Sequence, residues 1–262
     1  MVVAAGPAVS AGHHHQLYRP GDTVVHRLPP QCKLLAAAGF AVAVVATPRE
    51  SFWAFGVYAL LLAAVAAAGR VPPGFVLRRM VIEVPFVLFA VAIPIIGLGE
   101  RVEVLGMSLS EQGLWAAWNI LAKATLGVVA SILLAATTEP RMMLLGAQRL
   151  RLPQLLVQIA MFMLRYMDVI MDEMRRMRVA RESRGFVARD VRQVPVLAKS
   201  AGALFIRSYE RGERVHLAML SRGYTGEMPI IRDLSASLRQ WGTAGLLPGL
   251  AAVTAVLSWS LS

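Results

Sequence analysis

The pattern A-x-x-S-R-G-aromatic occurs twice, as Ala180-Arg181-Glu182-Ser183-Arg184-Gly185-Phe186 and as Ala218-Met219-Leu220-Ser221-Arg222-Gly223-Tyr224, with the two arginines 38 residues apart. Each arginine precedes a glycine, the residue that closes a helix in the left-handed conformation at least cost. Arg184 and Arg222 are therefore predicted to stand in last helical turns, where positive charge suits the negative end of the helix dipole. From such a tip a planar guanidinium can grip a carboxylate on another protein through two parallel hydrogen bonds. Arg-Gly at a helix end is also ordinary capping chemistry, and one copy would carry little weight. Two copies sharing four identities and an aromatic carry more, because capping alone does not call for the shared Ala and Ser.

Other residues invite chemistry less strongly. Lys123 lies within an apolar run, one helical turn after Asn119 and on the same face. A charge inside a membrane costs about 2.5–3.5 kcal/mol on insertion scales and by default suggests function; pairing with a neighbouring helix to fix packing is the simpler expectation. His13-His14-His15, with His26 further on, could ligate cobalt, nickel or zinc through imidazole nitrogens. The run lies in a Gly/Ala-rich stretch with no carboxylate or cysteine beside it, so an incidental string is the plainer reading. Arg175, Arg176 and Arg178 beside Asp172 and Glu173 read as a solvated helix face or a lipid-headgroup contact. The 262 residues contain no G-x-x-x-x-G-K-[ST] phosphate loop, no G-x-S-x-G elbow and no H-E-x-x-H helix. No bound cofactor is expected. The lone cysteine, Cys32, rules out an intrachain disulfide and a cysteine-rich zinc site.

The elements that must hold these residues are membrane helices. The chain is 56% hydrophobic and only 16% charged, where soluble domains carry about 25% charged residues. Five apolar segments stand out: Leu34–Ala46, Ser51–Ala68, Val84–Leu98, Gly113–Ala136 and Trp241–Leu261. The first is short for a span of about 20 residues. Pro85 and Pro94 are expected to bend the third. The fold class is thus all-α, a polytopic membrane protein with about five spans. The stretch before Leu34 has no apolar core, so no cleavable signal peptide is expected.

Charge orients the spans. The formal net charge is +11, and 18 of the 27 Lys and Arg lie between Arg141 and Arg239 with nine of the 16 acids. These basic residues are embedded among apolar helices, which argues against nucleic acid as partner. With the N-terminus inside, Arg19, Arg27, Lys33, Arg70, Arg78, Arg79 and the 139–239 block are cytoplasmic. Arg49, Glu50, Glu100, Arg101, Glu103 and Glu111 then lie outside, as the positive-inside rule asks. The expected division is a cytoplasmic segment over 1–33, four spans within 34–138, a cytoplasmic helical region over 139–239 and a last span over 240–262. In the cytoplasmic region a short amphipathic helix is predicted over Arg141–Leu150, a long one from Pro153 to about Ser183, and another from about Ala203 to Ser221. Met163, Met167, Met171, Met174 and Met177 mark one side of the long helix. Such a stripe is more often helix–helix core than a partner surface, although methionine adapts well to a moving partner.

Four stretches together resemble a known family. RPGDTVVHRLPPQCKLL at 19–35, TTEPRMMLLGAQRLRLP at 137–153, LRYMDVIMDEMRRMRVARESRGF at 164–186 and SYERGERVHLAMLSRGY at 208–224 are similar to the CbiQ-type transmembrane (T) component of energy-coupling factor transporters. The resemblance implies an inner-membrane scaffold without catalysis. It would join two cytoplasmic ATP-binding-cassette ATPases, which bind the ATP, to a separate substrate-binding (S) membrane subunit. It implies long coupling helices whose Arg-centred triplets, here Ser183-Arg184-Gly185 and Ser221-Arg222-Gly223, dock on the ATPases, and it points to cobalt or nickel as substrate, captured by another subunit. The serine before each arginine and Lys123, where the family suggests arginine, are mild departures. Two readings from the residues alone compete: a membrane enzyme acting on lipid headgroups, and a self-sufficient permease. The first needs a tight acidic cluster for metal ions, whereas Asp168, Asp172, Glu173 and Asp190 are dispersed.

Overall fold

A computed structural model describes residues 17–96, 101–104, 107–186, 190, 193–226 and 235–261. The chain divides into two compact units, one formed by 15–150 with 234–262 and the other by 151–233. Prolines open several helices, where the missing N–H costs nothing. In the first unit α1 (Val24–Arg27) is a single turn capped by Thr23. Pro30 opens α2 (Pro30–Ala46), and α3 (Phe52–Ala68) follows. Pro73 opens α4 (Pro73–Arg79), which runs through a 3₁₀ turn, Met80–Glu83, into α5 (Val84–Ile96). Strands β1 (Arg101–Val104) and β2 (Met107–Ser110) pair antiparallel, Arg101 opposite Ser110. The Ser110 hydroxyl then accepts from Gly113 N at 3.2 Å, capping α6 (Glu111–Thr137). Helix α7 (Pro140–Arg149) follows, and the unit closes with α10 (Leu238–Leu261).

The other unit consists of α8 (Gln154–Glu182) and α9 (Val194–Leu220). Each apolar segment of the sequence thus has its helix, and the all-α polytopic class holds, with one two-stranded hairpin added. Among the described residues four helical runs are long and apolar enough to cross a membrane: Pro73–Ile96, Glu111–Thr137, Gln154–Glu182 and Leu238–Ser260. Helices α2 and α3 are apolar but only 17 residues each.

Three boundaries differ from the sequence reading. Arg78 and Arg79 belong to a helical run rather than a loop, because nothing between Pro73 and Pro85 stops the helix; Pro85 lacks the N–H that would bond the Val81 carbonyl, and the chain tightens there into the 3₁₀ turn. Helix α9 begins at Val194, nine residues before the apolar periodicity becomes clear, with Pro195 in its first turn. The third concerns α7, which the sequence groups with the cytoplasmic region but which belongs to the unit of the apolar helices. Gly146 explains why. A Cβ there would come within 2.9 Å of Gln31 N and Pro30 C, so only glycine lets α7 reach the α2 backbone.

The core of the first unit is shared by α2, α3, α6 and α10, with Phe40, Phe55, Tyr58, Leu126, Leu133 and Ala251 at its centre. Tyr58 is fully buried and meets Phe40 edge-on at a centroid distance of 5.7 Å and Phe55 at 6.4 Å. Lys33, the last residue of the N-terminal segment that charge assigns to the cytoplasmic side, is only 7% exposed. Its ammonium uses all three protons, on Thr137 O (2.9 Å), His26 O (3.2 Å) and Thr138 Oγ1 (3.3 Å). Every donor of this buried ammonium is engaged, as burial of a charge requires, and it ties the start of α2 to the end of α6.

Candidate functional site

Both Arg-Gly tips close in the same way. At the end of α8, Gly185 adopts φ +75°, its N–H donates to Glu182 O at 3.0 Å and Phe186 N–H donates to Arg181 O at 3.1 Å. At the end of α9, Gly223 has φ +81°, its N–H donates to Leu220 O at 3.0 Å and Tyr224 N–H to Met219 O at 3.0 Å. This is the paired 5→2 and 6→1 bonding of a Schellman cap, reproduced in both copies. Ser183 and Ser221 donate their hydroxyls to Ala180 O at 3.1 Å and Ala218 O at 3.0 Å. The shared serine is therefore part of the cap after all, and only the alanine is left unexplained by capping. Arg184 and Arg222 are exposed, and neither has a carboxylate partner among the described residues.

The placement of the tips follows from how α8 and α9 pair. Tyr224 Oη donates to Gln158 Oε1 at 2.9 Å, and Gln158 Nε2 donates to Gly226 O at 2.8 Å. Midway, Glu173 accepts from Arg207 of α9 and from Arg176 of its own helix (3.0 Å). Hydrogen bonding from Arg207 and then Arg176 holds the Glu173 carboxyl below the usual carboxylate range. The helices are thus antiparallel, and the second tip lies beside the first turns of α8. Twenty-six residues separate Gln158 from Arg184, so the arginines stand about 39 Å apart at opposite ends of the pair at 1.5 Å rise per residue.

Two equal cationic tips on one helical pair fit a family whose sequences can be compared directly. The description "CbiQ: Cobalt transport protein" matches residues 21–231. The chain belongs to the CbiQ family. An energy-coupling factor transporter transmembrane protein EcfT from Thermosediminibacter oceani is 27% identical over 252 residues, covering 88% of this chain and 93% of that protein. The cobalt transport protein CbiQ of Rhodobacter capsulatus is 28% identical over 206 residues, covering 78% and 82%. The EcfT of Bacillus selenitireducens is 31% identical over 230 residues, covering 80% and 82%. With its apolar helices, this CbiQ-family chain is a multi-pass transmembrane component of the energy-coupling factor type.

Other residues singled out in the sequence fall elsewhere. Lys123 Nζ donates to Val45 O at 2.8 Å, one of the last carbonyls of α2, where helix polarity favours a cation. Asn119 shares its face, but its Oδ1 is buried and finds no hydrogen bond among the described residues. His13, His14 and His15 lie outside the described residues. The His26 ring is engaged by Thr23 Oγ1 at 2.7 Å and Arg19 O at 3.1 Å. Arg178 forms an exposed pair with Glu182, as a solvated face requires, whereas the Glu173 partner of Arg176 is only 19% exposed and also meets Arg207 of α9. The methionine stripe is corrected: Met163, Met167, Met171 and Met174 are about half exposed while Met177 is partly buried, and Val157 is the one buried residue among those described in α8. Glu173 was read only as part of a charged helix face, and Gln158, which fixes the antiparallel register with it, was not singled out. Gln158 had one signal, a polar residue within the apolar run LLVQIAMF.

Proposed function

We propose that this chain is the coupling scaffold of an energy-coupling factor importer. Two cytoplasmic ATP-binding-cassette ATPases dock on the Arg184 and Arg222 tips, and nucleotide-driven closure of the ATPases moves α8 and α9. That motion passes to a separate substrate-binding membrane subunit, with cobalt the favoured substrate and nickel the nearest alternative. The chain itself carries out no catalysis, and ATP belongs to its partners. The observation that carries the reading is the pair of identically capped arginines about 39 Å apart at opposite ends of one helical pair, two sites for two copies of one partner. Cobalt rests on the family description and on the name of the Rhodobacter capsulatus relative. Co-purification of the chain with its ATPase and substrate-binding subunits, followed by cobalt and nickel uptake into vesicles, tests it. Uptake by the chain alone would overturn it.

The reading sets the N-terminus and 139–239 on the cytoplasmic side of the cell membrane, including α8 despite its apolar first half. Asp172, Glu173, Arg175, Arg176, Arg178, Arg181 and Glu182 crowd the second half of that helix, too many charges for a span. The native thiol, Cys32, is buried, so introduced cysteines report cleanly. Asp190→Cys and Arg211→Cys are expected to react with an impermeant maleimide only after the cytoplasmic side is opened. Labelling from outside would reverse the orientation.

The caps give a second expectation. Nothing lies within 4 Å of a Cβ built on Gly185 or Gly223, so alanine there is opposed by backbone conformation alone, about 1–2 kcal/mol. Gly185→Ala or Gly223→Ala is expected to weaken ATPase binding roughly 5- to 30-fold, and asparagine, which tolerates the left-handed region, to restore most of it. Equal binding by the alanine variants in a titration would show that cap geometry does not aim the arginines.

A further inference from the structure

Two cavities flank the single turn of α1 and the end of α3. One, of about 230 Å³, is polar and lined by Arg19, Asp22, Thr23, His26 and Arg70 among others. The second, of about 210 Å³, is lined almost wholly by apolar side chains, including Val24, Val25 and Leu28 from α1 and Val65 and Ala68 from α3. Lys33 borders it, but with its ammonium engaged by three acceptors that cation offers nothing further.

The charges in the polar cavity are unbalanced. Its one acid, Asp22, is taken up by Arg27 through two bonds of 2.7 and 2.6 Å, which hold its carboxyl below the usual carboxylate range. Arg19 and Arg70 have no carboxylate partner among the described residues. Arg19 lies over the Phe75 ring at 5.5 Å, and Arg79 lies over the same ring at 3.8 Å, so like charges converge on this corner. His26 is already committed: Nε2 donates to Arg19 O and Nδ1 pairs with Thr23 Oγ1, which fixes the 19–26 loop and leaves no ring nitrogen for a ligand. Arg70 supplies the independent observation. It occupies the left-handed position ending α3, at φ +50°, where glycine would sit without strain. Arg151 shares this conformation at φ +68°, but Arg70 borders the cavity, where its side chain can put the conformational cost to use.

We infer that an anionic phospholipid binds here, its phosphate held by Arg19 and Arg70 and an acyl chain lying along the apolar cavity on the other side of α1. Charge selects the ligand, since two guanidiniums without a carboxylate partner among the described residues border the cavity and match a phosphate in sign. The apolar cavity selects a lipid over a free anion, and the anionic cytoplasmic leaflet supplies it where the basic N-terminal flank lies. The site is independent of ATPase docking.

The test uses the full chain in nanodiscs of phosphatidylcholine with or without phosphatidylglycerol, read by native mass spectrometry and thermal unfolding. One retained phosphatidylglycerol and a raised Tm are expected. Arg19→Ala and Arg70→Gly should each weaken retention by about 10- to 100-fold, the range for losing a hydrogen bond to a charged group. Arg70→Gly should do so while leaving the Tm in phosphatidylcholine alone unchanged or higher, because it relieves the backbone; a purely structural arginine would lower it. Arg78→Ala, outside the cavity, should have no effect. Equal retention by Arg19→Ala and Arg70→Gly overturns the site. Stabilisation by millimolar inorganic phosphate equal to that by phosphatidylglycerol overturns the lipid assignment.

Discussion

A chain carrying both Arg184→Ala and Arg222→Ala is expected to insert and fold in the membrane yet fail to hold its ATPases or support uptake. Each side chain is exposed, with no carboxylate partner among the described residues to lose, so truncation leaves the fold intact. The cost falls on the partner, whose carboxylate is stranded in the interface; removing one member of such a pair costs about 2–5 kcal/mol. That is roughly 30- to several-thousand-fold in affinity per tip at 1.4 kcal/mol per decade. Either single variant is expected to retain one ATPase contact and assemble weakly. Arg178→Ala is the control, since its surface pair with Glu182 at 3.2 Å is worth only about 0–1 kcal/mol. If the double variant pulls down its ATPases and transports normally, the repeats are helix caps and nothing more.

Tyr58→Ala should produce the largest loss of stability. The side chain is fully buried where α2, α3 and α10 meet, and two aromatic rings pack edge-on against it. Its hydroxyl also closes a polar chain. Thr47 donates to Ala43 O at 2.9 Å, which leaves the Thr47 oxygen to accept from Tyr58 Oη at 2.7 Å, and Ala251 O lies 3.3 Å from the same phenol. Emptying that site costs about 3–5 kcal/mol by analogy with buried Phe→Ala changes, a fall in Tm of roughly 6–20 °C for a chain of this size. Tyr58→Phe keeps the ring and removes the bond, so about 1–2 kcal/mol is expected. Thermal unfolding in detergent separates the two, and similar Tm values for both variants would assign the stability to the hydroxyl rather than the ring.

The apolar helices were legible because long apolar runs bounded by caps leave few alternatives. The fourth, read as Gly113–Ala136, is Glu111–Thr137 in the structure, and the last, read from Trp241, begins at Leu238. The Arg-Gly tips were legible for the same local reason. What failed was long-range or dependent on a partner. Charge assigned Lys33 a side of the membrane but gave no sign of its burial, which depends on the Thr137 carbonyl 104 residues away. The antiparallel register of α8 and α9 hangs on Gln158, whose partners lie 66 and 68 residues downstream. Four-residue strands are too short to show alternation, so β1 and β2 were read only as an outer loop. For the methionines, periodicity correctly gave one face but could not say whether that face is filled within the chain.

The near absence of buried side chains in α8 and α9 bears on how an affinity measured for this protein would be interpreted. A helix pair without its own core has little protection against local opening, so its amides should exchange quickly in the free chain. Binding then has to order the pair as well as contact it, and the ordering offsets part of the gross interaction energy. Dissociation constants would understate the strength of the contacts. The heat-capacity change would be more negative than the docked area alone requires, because helix–helix burial completed on assembly adds to it.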